Sequence, residues 1–283
     1  MNQSTRVRAP RGDLASFERE TFDSDGFSHA IYRKGRGPAV IVIAEMPGIT
    51  PHVIGFADRL VSLGCTAILP DLFGTAGRDW LARGRLGALP YVLKSVAQLC
   101  ISREFTLFAL GKTSPVVTWL RSLAAREHAR CGGPGVGAIG MCITGGFALA
   151  MATDPRIIAP VLSQPSTPPR LSERHRRSID CSEPDLQRVA ARCANEGLRV
   201  LGLRFHGDRM SPPERFRFLQ ERLGDGFIAV ELPASSGHPD SILSHPHSVL
   251  TTDLIDEPGE PTRAALDQVL AFFRDKLIGA SAV

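Results

Sequence analysis

Continuous aliphatic runs that alternate with amphipathic segments constrain the fold of this chain more than any other feature. The runs are rich in β-branched residues, which is typical of strands in a parallel sheet covered on both faces. We expect strands at residues 30–32, 39–44, 67–69, 136–139, 159–162, 198–205 and 227–232. We expect helices at residues 51–63, 115–130, 142–153, 184–196, 212–223 and 261–277. This order predicts an α/β fold with a doubly wound, mostly parallel sheet, whose ligands bind at the carboxyl ends of the strands.

Length and composition favour one large domain. The chain has 283 residues, of which 43% are hydrophobic and 22% charged, enough to build a single substantial core. We assign residues 1–26 to an N-terminal extension and residues 27–283 to a single domain. Residues 72–114 and 163–183 are predicted to be long loops, of the kind that often form lids or bind substrate.

Several function classes are disfavoured by the composition. No run approaches about 18 apolar residues and no apolar stretch follows the N-terminal arginines, so the sequence predicts neither a membrane span nor a secretory signal. We therefore expect a cytoplasmic protein with no membrane partner. The net charge is +4, but the tightest basic cluster, residues 170–177, lacks interleaved aromatic residues. That cluster favours a solvated loop surface over nucleic-acid binding.

The sequence predicts no metal and no cofactor. Its six cysteines show neither CxxC nor Cys/His ligand spacing, so neither a zinc site nor a disulfide framework is indicated. No G-x-G-x-x-G motif follows a first strand, which disfavours a flavin or nicotinamide enzyme.

One cysteine lies at a predicted strand-to-helix corner, in the turn Gly140-Met-Cys-Ile-Thr-Gly-Gly146. Glycines tolerate the backbone conformations of so tight a turn and leave room around a nucleophile. A lone cysteine is usually a core residue, but this corner is where an α/β-hydrolase fold displays its nucleophile. Cys142 is thus the candidate nucleophile. Thr144 stands where the pattern G-x-C-x-G has its second glycine.

The partners of a thiol nucleophile are predicted in later post-strand loops. Such a nucleophile needs a base and an acid that orients the base. Asp208 follows the run at 198–205, and His238, His245 and His247 follow the run at 227–232. The order Cys, Asp, His is that of the α/β-hydrolase triad.

The loop after the run at 39–44 predicts part of an oxyanion hole. Such folds take one backbone N–H group from this loop and one from the residue after the nucleophile, here Met46 and Ile143. Glu45 precedes Met46. A carboxylate after a buried strand is costly without a partner, so Glu45 is expected either to reach solvent or to bind a group in the site.

Five segments together resemble the dienelactone hydrolase family. They are Glu45, Pro70-Asp-Leu-Phe-Gly74, the turn that carries Cys142, Gly207-Asp-Arg-Met-Ser-Pro-Pro-Glu-Arg-Phe216 and His247-Ser-Val-Leu250. The resemblance spans roughly residues 28–279. It implies an α/β-hydrolase that cleaves a small lactone or ester with a Cys-His-Asp triad, through an acyl-enzyme. It further implies that Glu45 pairs with the resting thiol until substrate enters.

The base and the substrate-binding residues are less sharply predicted. His247 precedes a serine and an apolar pair, as the family's histidine tends to, while His238 is the alternative. The family binds its substrate's carboxylate with an arginine shortly after that histidine, but residues 248–253 contain none. Arg78, Arg103 and His238 are the remaining substrate-binding candidates, and the missing arginine disfavours a dienelactone substrate.

We interpret the chain as a hydrolase of a small ester or lactone, with that small molecule as its partner. Two alternatives stay open. One is a catalytically silent relative with a binding or regulatory role, and the other is a thioesterase or acyltransferase on the same scaffold.

Overall fold

An eight-stranded sheet forms the centre of the protein, in the order β1-β2-β4-β3-β5-β6-β7-β8. The computed structural model describes residues 7–80, 82, 84–239, 241 and 243–279. Strands β1 and β2 are antiparallel to their neighbours and the others run parallel. The strands are β1 Glu18–Ser24, β2 Phe27–Gly35, β3 Ala39–Ile43, β4 Thr66–Pro70, β5 Val136–Met141, β6 Ile157–Ser163, β7 Val200–Phe205 and β8 Phe227–Leu232. This architecture confirms the predicted doubly wound α/β-hydrolase fold.

Helices cover both faces of the sheet. They are α1 Pro51–Ser62, α2 Gly84–Ile101, α3 Val116–Cys131, α4 Gly145–Met151, α5 Glu173–Arg176, α6 Glu183–Glu196, α7 Pro213–Leu223 and α8 Pro261–Phe273. Side chains alternate between the two faces along a strand, so Val40 and Val42 of β3 pack in one core with α1 and α8. Ile41 and Ile43 pack in the other core, with α3 and α4. Because both faces are covered, every residue of β3 is buried, as its unbroken aliphatic run predicted.

Two elements differ from the sequence-based expectation. Residues 18–24, assigned to the N-terminal extension, form the edge strand β1 and pair with β2. An edge strand with one solvated face can be largely polar, and this one carries four charged residues. The predicted loop at 72–114 contains the 18-residue helix α2. Two glycines and Pro90 lie within this helix, and such residues do not favour a helix prediction. Residues 1–6 of the expected extension lie outside the described residues.

The carboxyl ends of the parallel strands lie at one edge of the sheet, and the predicted site residues follow these strand ends. Glu45 follows β3, Cys142 follows β5 and Asp208 follows β7. Such an edge is where open α/β sheets bind ligands. In the described part of the chain, no helix combines the length and apolar character needed to cross a membrane.

Candidate active site

The turn between β5 and α4 holds Cys142 in a backbone conformation that side chains rarely adopt. The φ angle of Cys142 is 56°, in the left-handed region that costs a non-glycine residue free energy. Gly140 allows the chain to close on itself here, because a Cβ atom at this position would lie 2.0 Å from the carbonyl oxygen of Thr144. The turn has the form of the sharp strand-to-helix corner at which an α/β-hydrolase fold carries its nucleophile.

The loop after β6 packs against this corner and contacts the thiol directly. The hydroxyl of Ser166 donates to the Sγ of Cys142 at 2.9 Å. The backbone N–H of Ser166 donates to the carbonyl oxygen of Cys142, also at 2.9 Å. Gly145 permits this approach, since a Cβ there would lie 2.6 Å from the Cβ of Pro165. The thiol therefore has a hydroxyl donor that the sequence did not predict.

Those contacts also orient the peptide unit after the nucleophile. The carbonyl of Cys142 points at the 163–168 loop, and its peptide bond to Ile143 is trans. The N–H of a trans peptide points opposite to the carbonyl. The N–H of Ile143 is thus directed away from that loop, and Ile143 lies in the wall of the adjoining cavity.

His247 and Asp208 form a buried pair beside the cysteine. The Nδ1 of His247 donates to the Oδ2 of Asp208 at 2.7 Å. Its Nε2 faces the Cys142 thiol and has no hydrogen bond of ordinary geometry within the described part of the chain. Burial favours a low pKa for His247, but the sulfur charge and the Asp208 carboxylate outweigh it, so the pKa is raised well above its ordinary value. These surroundings favour proton uptake by the imidazole of His247.

Asp208 is kept ionised by its surroundings. Burial favours a raised pKa, but the imidazole of His247 and two backbone N–H groups lower it below the ordinary value. Those N–H groups belong to Met210 at 2.9 Å and Ser211 at 3.3 Å, and both donate to Oδ1. Hydrogen bonds to the charged form of a carboxyl have this effect.

The backbone of His247 is fixed by a second carboxylate, Asp253. Its Oδ2 accepts from the N–H groups of His247 at 2.8 Å and Ser248 at 2.9 Å. Asp253 is buried, and its Oδ1 has no hydrogen-bond partner among the described residues. The side chain shapes the loop that presents the imidazole.

Glu45 lies buried in the same site, bound by three donors rather than exposed to solvent. Its carboxylate accepts from Thr251, from Ser248 at 2.8 Å and from Gln164 at 3.0 Å. Burial raises the pKa of Glu45, opposed by Thr251, by the charge of His247 and by Ser248. The resemblance implied a bond between Glu45 and the resting thiol. In this structure the thiol accepts instead from Ser166.

Thr144, the departure from the glycine pattern, has a defined role in the turn. Its hydroxyl accepts from the N–H of Met141 at 2.9 Å and donates to the carbonyl oxygen of Ile43 at 2.9 Å. It thereby ties the turn at Cys142 to the end of β3, two residues before Glu45. The side chain is fully buried, so it does not offer a hydroxyl to substrate.

A buried arginine holds the loop that carries Ser166. Arg215 of α7 donates to the carbonyl oxygens of Ser178 at 2.6 Å, Pro165 at 2.8 Å and Pro168 at 2.5 Å. Burial lowers its pKa to about 10, opposed by the charges of Asp208 and Cys142. A single guanidinium with several donors can brace a loop in this way.

A cavity of about 320 Å³ opens at this edge, and Cys142 and His247 line it together with Glu45. Met46 and Ile143, the predicted oxyanion-hole residues, line it too. No group of three or more His, Cys, Asp or Glu side chains suited to hold a metal occurs among the residues that the structure describes.

The three predicted substrate-binding residues do not line this cavity. Arg78 is exposed and stacks on the ring of Tyr91 at 4.2 Å from its centroid. Arg103 is exposed. His238 is buried and its backbone N–H donates to the carbonyl of Asp253 at 3.0 Å. Loop membership alone did not reveal which way these side chains lie.

Four polar residues of the site were not predicted from the sequence: Gln164, Ser166, Thr251 and Asp253. The first two follow β6 directly, so their position at a strand's carboxyl end was an available signal. The other two follow His247 within six positions. Thr251 binds the distant Glu45, which no local pattern marks, whereas Asp253 binds the backbone of His247 and Ser248 a few residues before it.

Comparison with known proteins bears on this arrangement. A model of the dienelactone hydrolase family matches residues 27–180, more than half of the chain. This chain belongs to the dienelactone hydrolase family. The matched segment includes Glu45 and Cys142, while Asp208 and His247 lie beyond it. The family membership predicted from five loops is confirmed.

Solved structures share the fold of this family member at low identity. A candidate dienelactone hydrolase of Klebsiella pneumoniae subsp. pneumoniae is 17% identical with a TM-score of 0.53, over 91% of this chain and 97% of the other. A cold-adapted esterase from an Arctic intertidal metagenomic library is 15% identical with a TM-score of 0.51, over 90% of this chain and 92% of the esterase. Est1E of Butyrivibrio proteoclasticus is 13% identical with a TM-score of 0.53, over 91% of this chain and 98% of Est1E. Comparison with curated proteins gave no match.

Proposed function

We propose that this protein hydrolyses a small ester or lactone through an acyl-enzyme on Cys142. One observation carries the proposal: Cys142, strained at a φ of 56°, shares a cavity with His247, whose Nδ1 lies 2.7 Å from Asp208. A displayed nucleophile, a base and an acid that orients the base are the parts that acyl transfer requires.

In the acylation step, His247 takes the thiol proton as the sulfur of Cys142 attacks the substrate carbonyl. The S–C bond forms, the carbonyl π electrons move to oxygen, and the N–H groups of Met46 and Ile143 stabilise that oxyanion. The oxyanion collapses, the C–O bond to the leaving group breaks, and the alcohol leaves with the proton from His247. Asp208 stabilises the imidazolium that exists between these transfers.

In the deacylation step, His247 removes a proton from water as the water oxygen attacks the thioester. The second tetrahedral oxyanion binds in the same place and collapses with cleavage of the S–C bond. The carboxylic acid leaves and the proton returns to sulfur. No oxidant and no second substrate are needed.

Cys142→Ala tests this proposal. The variant is expected to lose p-nitrophenyl ester hydrolysis by at least about 10³-fold, because the acyl-enzyme cannot form. Labelling with a thiol reagent should fall by one equivalent relative to wild type. Cys131→Ala is the matched control, since Cys131 ends α3 outside the cavity wall, and it should keep full activity.

Two results would overturn the proposal. Unchanged hydrolysis in Cys142→Ala would remove the nucleophile. Inertness of the wild type toward a panel of activated esters, with a Cys142 that resists labelling, would favour a catalytically silent relative.

A further inference from the structure

The wall of the cavity beside Cys142 is apolar over most of its described part. Met46 and Pro47 form the side near β3, and Trp80, Val92, Val96 and Leu243 form the side toward solvent. Small-molecule cavities usually pair such a wall with a few polar groups that orient the ligand. Here the wall suits a flexible hydrocarbon chain next to the reacting carbonyl.

Buried carboxyl groups form part of this wall. Glu45 and Asp253 line the cavity, and no lysine or arginine appears in the described lining. A substrate carboxylate placed here would lose its hydration with no lysine or arginine of that lining to replace it, and the imidazole of His247 is already paired with Asp208. Arg215 interacts with Asp208 and Cys142, but its guanidinium N–H groups donate to backbone carbonyl oxygens. Arg215 also lies outside the described lining of the cavity.

The apolar wall continues to the protein surface. Val96 of α2 is 41% exposed and Leu243 is 39% exposed, although both line the cavity. Leu93, one turn earlier on α2, is 59% exposed and does not line it. A chain too long for the cavity therefore has an apolar exit between α2 and the loop at Leu243.

We infer that the cavity takes an uncharged apolar acyl chain and rejects an acyl chain that ends in a carboxylate. This inference rests on the proposed function and names its substrate class. The selectivity is opposite to that of an arginine-lined site for a substrate carboxylate, and it accounts for the absence of arginine from residues 248–253.

Matched p-nitrophenyl esters test the inference in the wild-type protein. From acetate through butyrate and hexanoate to octanoate, kcat/KM should rise about two- to fourfold per methylene, as each is buried. The octanoate ester should exceed the mono-ester of octanedioic acid by at least about tenfold. Equal or faster turnover of the octanedioate ester would overturn the inference.

A charge placed in the wall gives a sharper test. Val96→Arg should shift the octanedioate-to-octanoate ratio of kcat/KM upward by about tenfold, since the cation then faces the cavity. Leu93→Arg, with the same charge on the same helix but outside the wall, should leave the ratio within about twofold. An equal shift in both variants would show that surface charge, and not the cavity, sets the preference.

A binding measurement separates this inference from the proposed function. Octanamide should bind to Cys142→Ala in calorimetry at least about tenfold more tightly than the mono-amide of octanedioic acid. Equal or tighter binding of the acid overturns the substrate class even if esters are hydrolysed. The expected binding order supports it even if the wild type hydrolyses no ester, in which case the proposed function alone fails.

Discussion

The hydroxyl of Ser166 donates to the sulfur of Cys142 at 2.9 Å, although the two residues are 24 positions apart. Ser166 also donates its backbone N–H to the carbonyl oxygen of Cys142, so one residue holds both the side chain and the main chain of the nucleophile. We therefore expect Ser166 to position the nucleophile before substrate arrives.

Replacing Ser166 with alanine tests that role. Loss of the hydrogen bond that holds the sulfur should lower both kcat/KM and the iodoacetamide alkylation rate of Cys142 near neutral pH by about tenfold. Ser166→Thr keeps the hydroxyl and should restore most of the alkylation rate. An alkylation rate in Ser166→Ala equal to that of wild type would show that the hydroxyl only packs.

The choice of base can be decided by two histidine variants. His247→Ala should lower kcat by about 10² to 10⁴, the usual contribution of a general base. His238→Ala should stay within a few-fold of wild type, because His238 does not line the cavity. Steady-state kinetics on one activated ester measures both. Full activity in His247→Ala would eliminate our assignment.

Removal of the Thr144 hydroxyl should weaken the nucleophile turn. Thr144→Val keeps the shape of the side chain but leaves the buried N–H of Met141 without its acceptor. The expected loss is about 1–3 kcal/mol in the free energy of unfolding, with a lower kcat as the corner shifts. Thr144→Ser should lose less of both. Urea denaturation of the three proteins measures the difference, and identical midpoints would contradict it.

The buried carboxyl group of Glu45 should lower the stability of the folded protein at neutral pH. Its pKa is raised by burial, so its contribution to stability is present below its ordinary pKa, about 4.5, and is lost as pH rises through the folded value. Glu45→Gln cannot ionise. The free energy of unfolding of Glu45→Gln, relative to that of wild type, should increase as pH rises above about 4.5. The variant should also be less active than wild type.

Urea denaturation of wild type and Glu45→Gln at acid and neutral pH isolates this carboxyl, because other groups titrate alike in both proteins. A stability difference that does not change with pH would mean that Glu45 does not titrate differently on folding.

Much of the fold followed from local pattern. The aliphatic run of β3 required cover on both faces, and the structure supplies it. Pattern failed for β1, whose polar residues suit a solvated edge, and for α2, where Pro90 lies inside the helix. For β1, pairing with β2 outweighs local preference.

The sequence by itself determined the order of elements and which strand ends carry reactive groups, because strand period, glycine turns and chain order are local properties. Only the tertiary structure decided which groups meet. Thr251 reaches Glu45 across 206 positions of sequence, Ser166 reaches Cys142, and Arg78 stacks on Tyr91 outside the cavity. Such contacts depend on how loops from different strands pack at one edge, and no short segment encodes that packing.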